Sequence, residues 1–216
     1  QKLNDELIRK ACELFQSLLH KELNPTGKNW EVKKLVEILK PQYGYTTAAK
    51  EAGNYRFIRI TDIGEDGELR DSGKKYVTLS QNEAKNYQLK NGDLLLARTG
   101  ATFGKILYFT ENEPSIFASF LIRLNPSTSV DPFYIWLFSR SQSYWRQAKS
   151  LMTGSGQPQF NANKLKQIKI PLPPLKTQKQ IVAKLSAVQE YKTQLLAQKS
   201  KLKELFNSVL AKSFNG

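Results

Sequence analysis

The chain has 216 residues, of which 40% are hydrophobic and 11% are aromatic. A chain of this length and composition can bury a core, so disorder along its whole length is excluded. Its 33 lysines and arginines outnumber its 19 aspartates and glutamates, and the net charge of +14 favours an anionic partner, either nucleic acid or an anionic membrane surface.

Residue counts exclude several kinds of site. The chain has one cysteine, Cys12, and one histidine, His20, so neither an internal disulfide nor a zinc site of cysteines and histidines can form. We expect a cytoplasmic location and no metal site. No apolar run approaches the roughly 20 residues of a transmembrane helix, and we expect no membrane partner. Because the first residue is Gln1, we also expect a processed or excised piece of a longer product.

Residues 1–24 are predicted to form a helical segment. Between residues 3 and 22, apolar side chains recur at spacings of three and four, which is typical of an amphipathic helix. The predicted apolar stripe consists of Leu3, Leu7, Ala11, Leu14, Phe15, Leu18 and Leu19. Asn24, Pro25 and Gly27 then end the helix.

Residues 30–175 are predicted to form one globule of mixed α/β (α+β) structure. Aromatic and β-branched residues, and short apolar runs after turns, predict strands at 55–61, 94–97, 105–109 and 117–122. Asp131 followed by Pro132 is the pattern of a helix N-cap with proline at the first helical position. We therefore expect a helix from there to Ser139.

Residues 176–216 are predicted to form one long helix. The preceding Pro-Leu-Pro-Pro-Leu at 171–175 cannot be helical and predicts a stiff extended elbow. Thr177 with Gln180 predicts a capping box at the helix start. From Thr177 to Lys212 the helix would be about 54 Å long.

Apolar side chains of this helix repeat every seven residues. This predicted helix-packing interface consists of Ile181, Val188, Leu195, Leu202 and Val209. A heptad sustained over such a length is typical of coiled-coil packing. The partner would be either the N-terminal helix or another chain, which leaves a homodimer through the long helix open. The alternative is that the helix belongs to the core of the same globule.

An internal repeat links the two ends of the chain. Residues 13–24 and 204–215 are identical at seven of twelve positions, including polar ones, at an offset of 191 residues. Two unrelated amphipathic helices would share apolar spacing but rarely polar identities. The simplest interpretation is a repeat of helix, globule and helix, in which residues 1–24 are the tail of a preceding spacer helix.

Several segments, taken in order, carry a family resemblance. They are residues 30–38, 57–63, 89–95, 98–105, 154–161 and 168–175, followed by Gln178, Ile181 and Val182. In this order they resemble the specificity (S) subunit of type I restriction-modification systems. The resemblance covers essentially the whole chain and ends in the proline elbow and the heptad helix.

The resemblance implies an architecture and a set of partners. Such subunits hold two target recognition domains separated by long helices that act as spacers and dock methyltransferase subunits. Only one such domain, residues 30–175, is present here. The chain would therefore be either the second half of a longer subunit or a half-length subunit that pairs with itself. It would read one half of a bipartite target in double-stranded DNA, from the major groove.

The resemblance also implies that this chain is not an enzyme. S-adenosylmethionine would bind the methyltransferase subunit, and ATP and magnesium would serve a separate restriction subunit. This chain would then hold no cofactor. Two alternatives stay open: a small DNA-acting enzyme, either nuclease or methyltransferase, with an unrecognised site, and a helical adaptor whose basic charge is incidental.

Polar loop residues are the candidates for contact with DNA, because amide, hydroxyl and guanidinium groups can pair with base edges. A first candidate segment after Pro41 contains Tyr43, Tyr45, Thr46, Thr47 and Lys50. A second, around two glycines, contains Arg98, Thr99, Thr102 and Lys105. An amide-rich third contains Gln157, Gln159, Asn161 and Asn163. Candidate phosphate contacts are Lys74, Lys75 and Lys164.

Overall fold

The structure is a computed structural model that describes residues 2–64, 67–152 and 160–214, apart from the side chains of Lys2 and of residues 209–214. In chain order the helices are α1 (Lys2–Leu23), α2 (Leu35–Ile38), α3 (Gln81–Ala84), α4 (Pro132–Ser139), α5 (Gln142–Leu151), α6 (Ala162–Leu165) and α7 (Leu175–Phe214). The strands are β1 (Glu31–Lys34), β2 (Leu39–Tyr43), β3 (Tyr55–Ile58), β4 (Tyr76–Val77), β5 (Leu94–Ala97), β6 (Ile106–Tyr108), β7 (Ser115–Phe117), β8 (Leu121–Pro126) and β9 (Lys169–Leu172).

These elements belong to two compact units. The first, called the helical unit, consists of residues 1–24 and 179–216, and the second, called the globular unit, consists of residues 25–178. The boundary between them falls inside α7, four residues after its first residue. Within the described residues, none of the helices combines the length and the apolar character that crossing a bilayer requires.

The helical unit contains α1 packed antiparallel to α7. Near the N-terminus of α1, the Asn4 side chain donates a hydrogen bond to the backbone oxygen of Leu195 over 3.5 Å. Near its C-terminus, Glu22 forms an ion pair with Lys184 over 3.1 Å. Since the later residue of α1 contacts the earlier residue of α7, the two helices run in opposite directions.

The apolar stripe of α1 differs from the predicted one. Ala11, Phe15 and Leu19 are buried as expected, but Leu3 and Leu14 are 71% and 50% exposed. The buried positions continue in steps of four residues through to Leu23, and each such step rotates only about 40° around a helix. Leu3 and Leu14 therefore lie outside this arc, and their place in the predicted stripe was wrong.

The heptad positions of α7 differ in burial along the helix. Ile181 and Leu195 are buried and Val188 is half-buried, whereas Leu202 is 51% exposed. Val209 lies where side chains are outside the described residues. Since α1 begins at Lys2, opposite the region of Lys199 with which Asp5 forms an ion pair, the heptad beyond that point has no cover from α1.

The long helix starts earlier than the sequence predicts. The backbone N–H groups of Thr177 and Gln178 both donate to the carbonyl oxygen of Pro174, over 2.8 and 3.0 Å. Helical hydrogen bonding thus begins before Thr177, so the predicted capping box with Gln180 was wrong. The helix instead begins directly after Pro174. Proline is well suited to this position, because the first N–H groups of a helix have no acceptor within the helix and the one that proline lacks is not missed.

The globular unit holds three sheets among its described residues. Antiparallel pairing gives a four-stranded sheet in the order β2-β8-β5-β6. A three-stranded sheet has the order β4-β3-β7, with β3 and β7 parallel. The third sheet is the antiparallel pair of β1 and β9. This mixture of strands and helices, with the two terminal helices, agrees with the predicted fold class.

Two predicted strands are interrupted. The segment 117–122 is not one strand, because β7 pairs with β3 while β8 pairs with β2 and β5. The chain crosses between these sheets in a turn at which the N–H of Leu121 donates to the oxygen of Ala118 over 2.8 Å. The predicted strand at 55–61 likewise ends at Ile58 and continues as a 3-10 turn at Ile60–Asp62.

Two clusters of apolar side chains form the core around these sheets. The larger one includes Ile58, Leu95, Leu107, Phe109 and Phe117, and joins the four-stranded to the three-stranded sheet. The smaller one consists of Phe57, Val77, Ala84, Ile116 and Ala118. Helix α4 is buried from Tyr134 to Ser139 because it is apolar all around. As predicted, Asp131 caps it by accepting a hydrogen bond from the Phe133 N–H over 2.8 Å.

Backbone pairing and a buried glutamine hold the two ends of the globular unit in place. Of the predicted elbow 171–175, Pro171 and Leu172 are extended as expected and belong to β9, which pairs with β1 in a register that sets Pro171 opposite Val32. Leu175 was wrongly predicted to be non-helical, since it is the first residue of α7. A two-stranded ribbon has only edge strands, so it tolerates proline. The fully buried side chain of Gln178 donates to the oxygens of Ser129 and Pro173 and accepts from the Asp131 N–H, which fixes the first turn of α7 beside the start of α4.

Candidate nucleic-acid interface

Parts of three candidate segments converge at one end of the four-stranded sheet. Tyr43 is the last residue of β2, and Arg98 directly follows β5. The guanidinium carbon of Arg98 lies 5.3 Å from the centre of the Tyr43 ring. The backbone oxygen of Arg98 accepts a hydrogen bond from the N–H of Phe160 over 2.7 Å. Segments far apart in the chain are therefore neighbours here, as a shared ligand requires.

Gly44 allows the first segment to lie close to the turn at 118–121 between β7 and β8, called the sheet-crossing turn. A Cβ atom at Gly44 would lie 2.3 Å from the backbone oxygen of Ala118, so no other residue fits without movement of the backbone. The N–H of Tyr45 donates to Phe117, and the N–H of Ser119 donates back to Tyr45, over 2.8 and 3.0 Å. These contacts fix Tyr43 next to the turn that carries Phe120.

Phe120 is a member of this cluster that the sequence did not reveal. Its ring centre lies 5.3 Å from the guanidinium carbon of Arg98, which is thus flanked by Phe120 and Tyr43. Both rings are about half exposed, at 51% and 46%. No local pattern marks Phe120, because its exposure depends on the change of sheet between β7 and β8.

The second segment forms a tight loop held by α5. Its residues 100–102 form a 3-10 turn, and Gly104 has a positive φ of 75°. The hydroxyl of Tyr144 donates to the backbone oxygen of Gly104, and burial raises the pKa of this phenol, so the proton stays in place. Thr99, Thr102 and Lys105 are half-buried in this loop. They thus belong to the loop that follows Arg98, on a backbone held by these hydrogen bonds, and their contact with DNA stays a prediction.

The third segment is only partly described. Gln157 and Gln159 lie outside the described residues. The side chain of Asn161 caps α6 by accepting a hydrogen bond from the N–H of Lys164 over 3.2 Å, so one of its polar atoms is already used. Asn163 is exposed and Lys164 is half-buried.

The remaining residues of the first segment lie near the three-stranded sheet. The Tyr45 ring packs edge-on against Tyr87 at 5.1 Å and borders the smaller core cluster, which leaves less of it for a ligand. Thr46, Thr47 and Lys50 are exposed. Backbone hydrogen bonds with Tyr76 hold Lys50 beside β4.

Lys74 and Lys75, both predicted phosphate contacts, already have acidic partners. Lys74 forms ion pairs with Asp71 over 2.7 Å and with Glu113 over 3.4 Å, and Lys75 pairs with Glu51. The hydrogen bond from Lys74 lowers the pKa of the Asp71 carboxyl and in turn raises the pKa of Lys74. These lysines can approach DNA only by sharing or leaving those carboxylates.

A basic face on α5 and β9 was missed by the sequence reasoning. Arg146 and Lys149 of α5 and Lys169 of β9 are exposed and form no ion pair within the described residues. The side chain of Gln147 bonds both backbone groups of Lys169, over 2.8 and 2.9 Å, and so joins α5 to β9. One signal could have found this face: no aspartate or glutamate occurs between Asp131 and Glu190.

Comparison with known proteins identifies the family of this chain. Residues 27–204 match the family model of the type I restriction modification DNA specificity domain. The chain belongs to this family, as the sequence resemblance predicted.

Individual relatives cover the chain well but are longer. The type I restriction enzyme MjaVIII specificity subunit of Methanocaldococcus jannaschii is 25% identical over 217 residues, which span 97% of this chain and 50% of that protein. The crystal structure of the HsdS subunit from Thermoanaerobacter tengcongensis has a TM-score of 0.66 at 22% identity, covering 100% of this chain and 53% of that chain.

A second structural relative has a TM-score of 0.68 at 22% identity and covers 99% of this chain and 54% of that chain. It comes from work on complex assembly and conformational transition of the type I R-M system. The present chain thus spans about half the length of the relatives it matches. About half of each of these two solved chains therefore shares the fold described above.

Proposed function

We propose that this chain is a target-recognition module of a type I restriction-modification specificity subunit, which reads one half of a bipartite sequence in double-stranded DNA. Its family membership over residues 27–204 carries this proposal. The module acts by binding and not by catalysis. The relatives named above are all specificity subunits or parts of the type I system, and none of them favours a small DNA-acting enzyme.

The end of the four-stranded sheet supports this function by its chemistry. It combines a guanidinium group, two half-exposed aromatic rings and the hydroxyls of Thr99 and Thr102 on a backbone fixed by hydrogen bonds. Such groups can pair with base edges in the major groove, where the four base pairs differ in their donors and acceptors.

The charge of the chain supports contact with the phosphate backbone. Arg146, Lys149 and Lys169 offer exposed cations without acidic partners among the described residues. Phosphate contacts fix the register of a protein on a duplex and supply most of its affinity, whereas base contacts supply the specificity.

The helices and the partner subunits belong to the same proposal. We infer that α1 and α7 dock methyltransferase subunits and that a restriction subunit joins through them, since a structural relative comes from work on assembly of the type I complex. S-adenosylmethionine, ATP and magnesium would then be bound by those partners. The exposed end of α7, with Leu202, is available to a further helix, including that of a second copy.

Selection from a random duplex library tests the proposed function. The purified chain is expected to enrich a short shared sequence motif, and two inverted copies of it would indicate that the chain pairs with itself. Retention of DNA without any motif would support a helical adaptor instead. Cleavage with magnesium, or methylation with S-adenosylmethionine, by the chain alone would support an enzyme.

Removing charge from the basic face should weaken binding to every duplex alike. The logarithm of the binding constant falls linearly with the logarithm of the salt concentration, and each phosphate contact contributes about 0.9 to the slope. In the double variant Arg146→Gln/Lys149→Gln, we therefore expect this slope to become shallower by about two. Fluorescence anisotropy across a series of salt concentrations measures this for the selected and for a scrambled duplex.

A matched variant controls for net charge. Lys74→Gln/Lys75→Gln removes the same charge from residues that already have acidic partners, and we expect a smaller change in slope. Equal slopes for both double variants and the unchanged chain would show that the face on α5 is not in contact with phosphates.

A further inference from the structure

Arg98 differs from the other arginines with aromatic neighbours in the globular unit. Arg123 and Arg140 each lie over an aromatic ring and also form an ion pair with a carboxylate, over 3.4 and 3.3 Å. Arg98 lies between two rings and has no ion pair within the described residues. Its charge is therefore not compensated locally.

The guanidinium of Arg98 is also incompletely hydrogen-bonded. Its Nε atom is buried and has no hydrogen-bond partner among the described residues. Arg140 also has a buried Nε without a partner, so this atom does not by itself mark a ligand site. The terminal nitrogens of Arg98 are not buried in this way, and within the described residues they donate no hydrogen bond. These terminal nitrogens can therefore donate to an acceptor outside the chain.

The position of Arg98 is fixed before any ligand arrives. Its N–H donates to the oxygen of Phe120 over 3.3 Å, and its oxygen accepts from Phe160 over 2.7 Å. The rings of Tyr43 and Phe120, each within the distance of a cation–π contact, restrict the side chain further. A side chain held in this way loses little conformational entropy on binding.

The surroundings of Arg98 favour a base edge over a phosphate. A phosphate group is strongly hydrated, and contact with it would leave two half-exposed rings beside a polar backbone. A guanine presents two acceptors, O6 and N7, that match the planar fork of a guanidinium. The methyl group of a neighbouring thymine offers apolar contact to the rings.

We propose that Arg98, held between Tyr43 and Phe120, reads a guanine of the target half-site, with Phe120 as a residue that determines specificity through the position of Arg98. This inference rests on the proposed function, because it requires that the chain recognises a DNA sequence.

Selection with substituted chains tests this inference. Arg98→Met keeps a long stem between the rings but removes the donors, and Phe120→Leu keeps an apolar side chain but removes the ring. Both variants are expected to lose the preference for guanine at the same single position of the motif, while the other positions stay enriched. Binding of a duplex changed at that guanine should then differ from the selected duplex by less than about twofold, against about 5- to 150-fold for the unchanged chain.

Two controls separate the possible results. Arg146→Met, the same substitution on the basic face, should weaken binding at all positions equally, and thermal unfolding of each variant shows whether it is folded. If the unchanged chain enriches a motif and folded Arg98→Met enriches the same motif with guanine intact, the inference is wrong and the proposed function stands. If the unchanged chain enriches no motif, the proposed function fails and the inference fails with it.

Discussion

Replacing Gly44 by alanine is expected to lower the free energy of unfolding of the globular unit by about 3 kcal/mol, near the upper end of the cost of overpacking. The new Cβ would lie 2.3 and 2.4 Å from the backbone oxygens of Ala118 and Phe117. Hydrogen bonds from Tyr45 to Phe117 and from Ser119 to Tyr45 hold the backbone here, so it cannot move aside as a flexible side chain can. Denaturant unfolding followed by tryptophan fluorescence reports on this unit, because Trp30, Trp136 and Trp145 all belong to it.

Gly27→Ala is the matched control for this prediction. Gly27 has a positive φ of 73° but no atom within 4 Å of an added Cβ, so its cost should be about 1 kcal/mol, the strain of a left-handed conformation. If Gly44→Ala were no more destabilising than Gly27→Ala, the close approach between residue 44 and the sheet-crossing turn would be contradicted.

Truncating Leu19 to alanine is expected to destabilise the helical unit by about 3 kcal/mol. Leu19 is 1% exposed in α1, and leucine-to-alanine changes at buried sites cost about 2–5 kcal/mol through lost burial and the cavity left behind. Far-UV circular dichroism during denaturant unfolding measures this change, since the described residues of the unit are helical apart from Asn24.

The same substitution at Leu14 provides the comparison. Leu14 is 50% exposed, so Leu14→Ala should cost less than about 1 kcal/mol. Losses of equal size at both positions would mean that α1 buries the stripe predicted from the sequence and not the stripe observed here.

Local sequence patterns were sufficient to predict the elements that depend only on residues close together in the chain. The cap at Asp131 follows from a side chain that bonds its own neighbour, and β5 from four consecutive buried residues. The division of 117–122 between two sheets could not be predicted in this way, because both ends of the segment are apolar. The choice of sheet depends on β3 and β5, which are distant in sequence.

The candidate site was predictable to a similar extent. Tyr43 and Arg98 stood out as polar or aromatic residues near glycines, and the structure brings them together. Phe120 had no signal of its own, since its role depends on a neighbour from another segment. One acidic partner of Lys74 was also hidden, because Glu113 is 39 residues away and meets it only through the fold.

The pairing of β1 with β9 has a consequence for how the globular unit can be exchanged. Glu31 lies opposite Leu172, and Lys34 lies opposite Lys169, so the polypeptide enters and leaves the globular unit on adjacent strands. A unit with neighbouring ends behaves as a cassette. Another unit with different loops can be substituted between the same two short segments, and under the proposed function such an exchange would replace the residues that determine specificity.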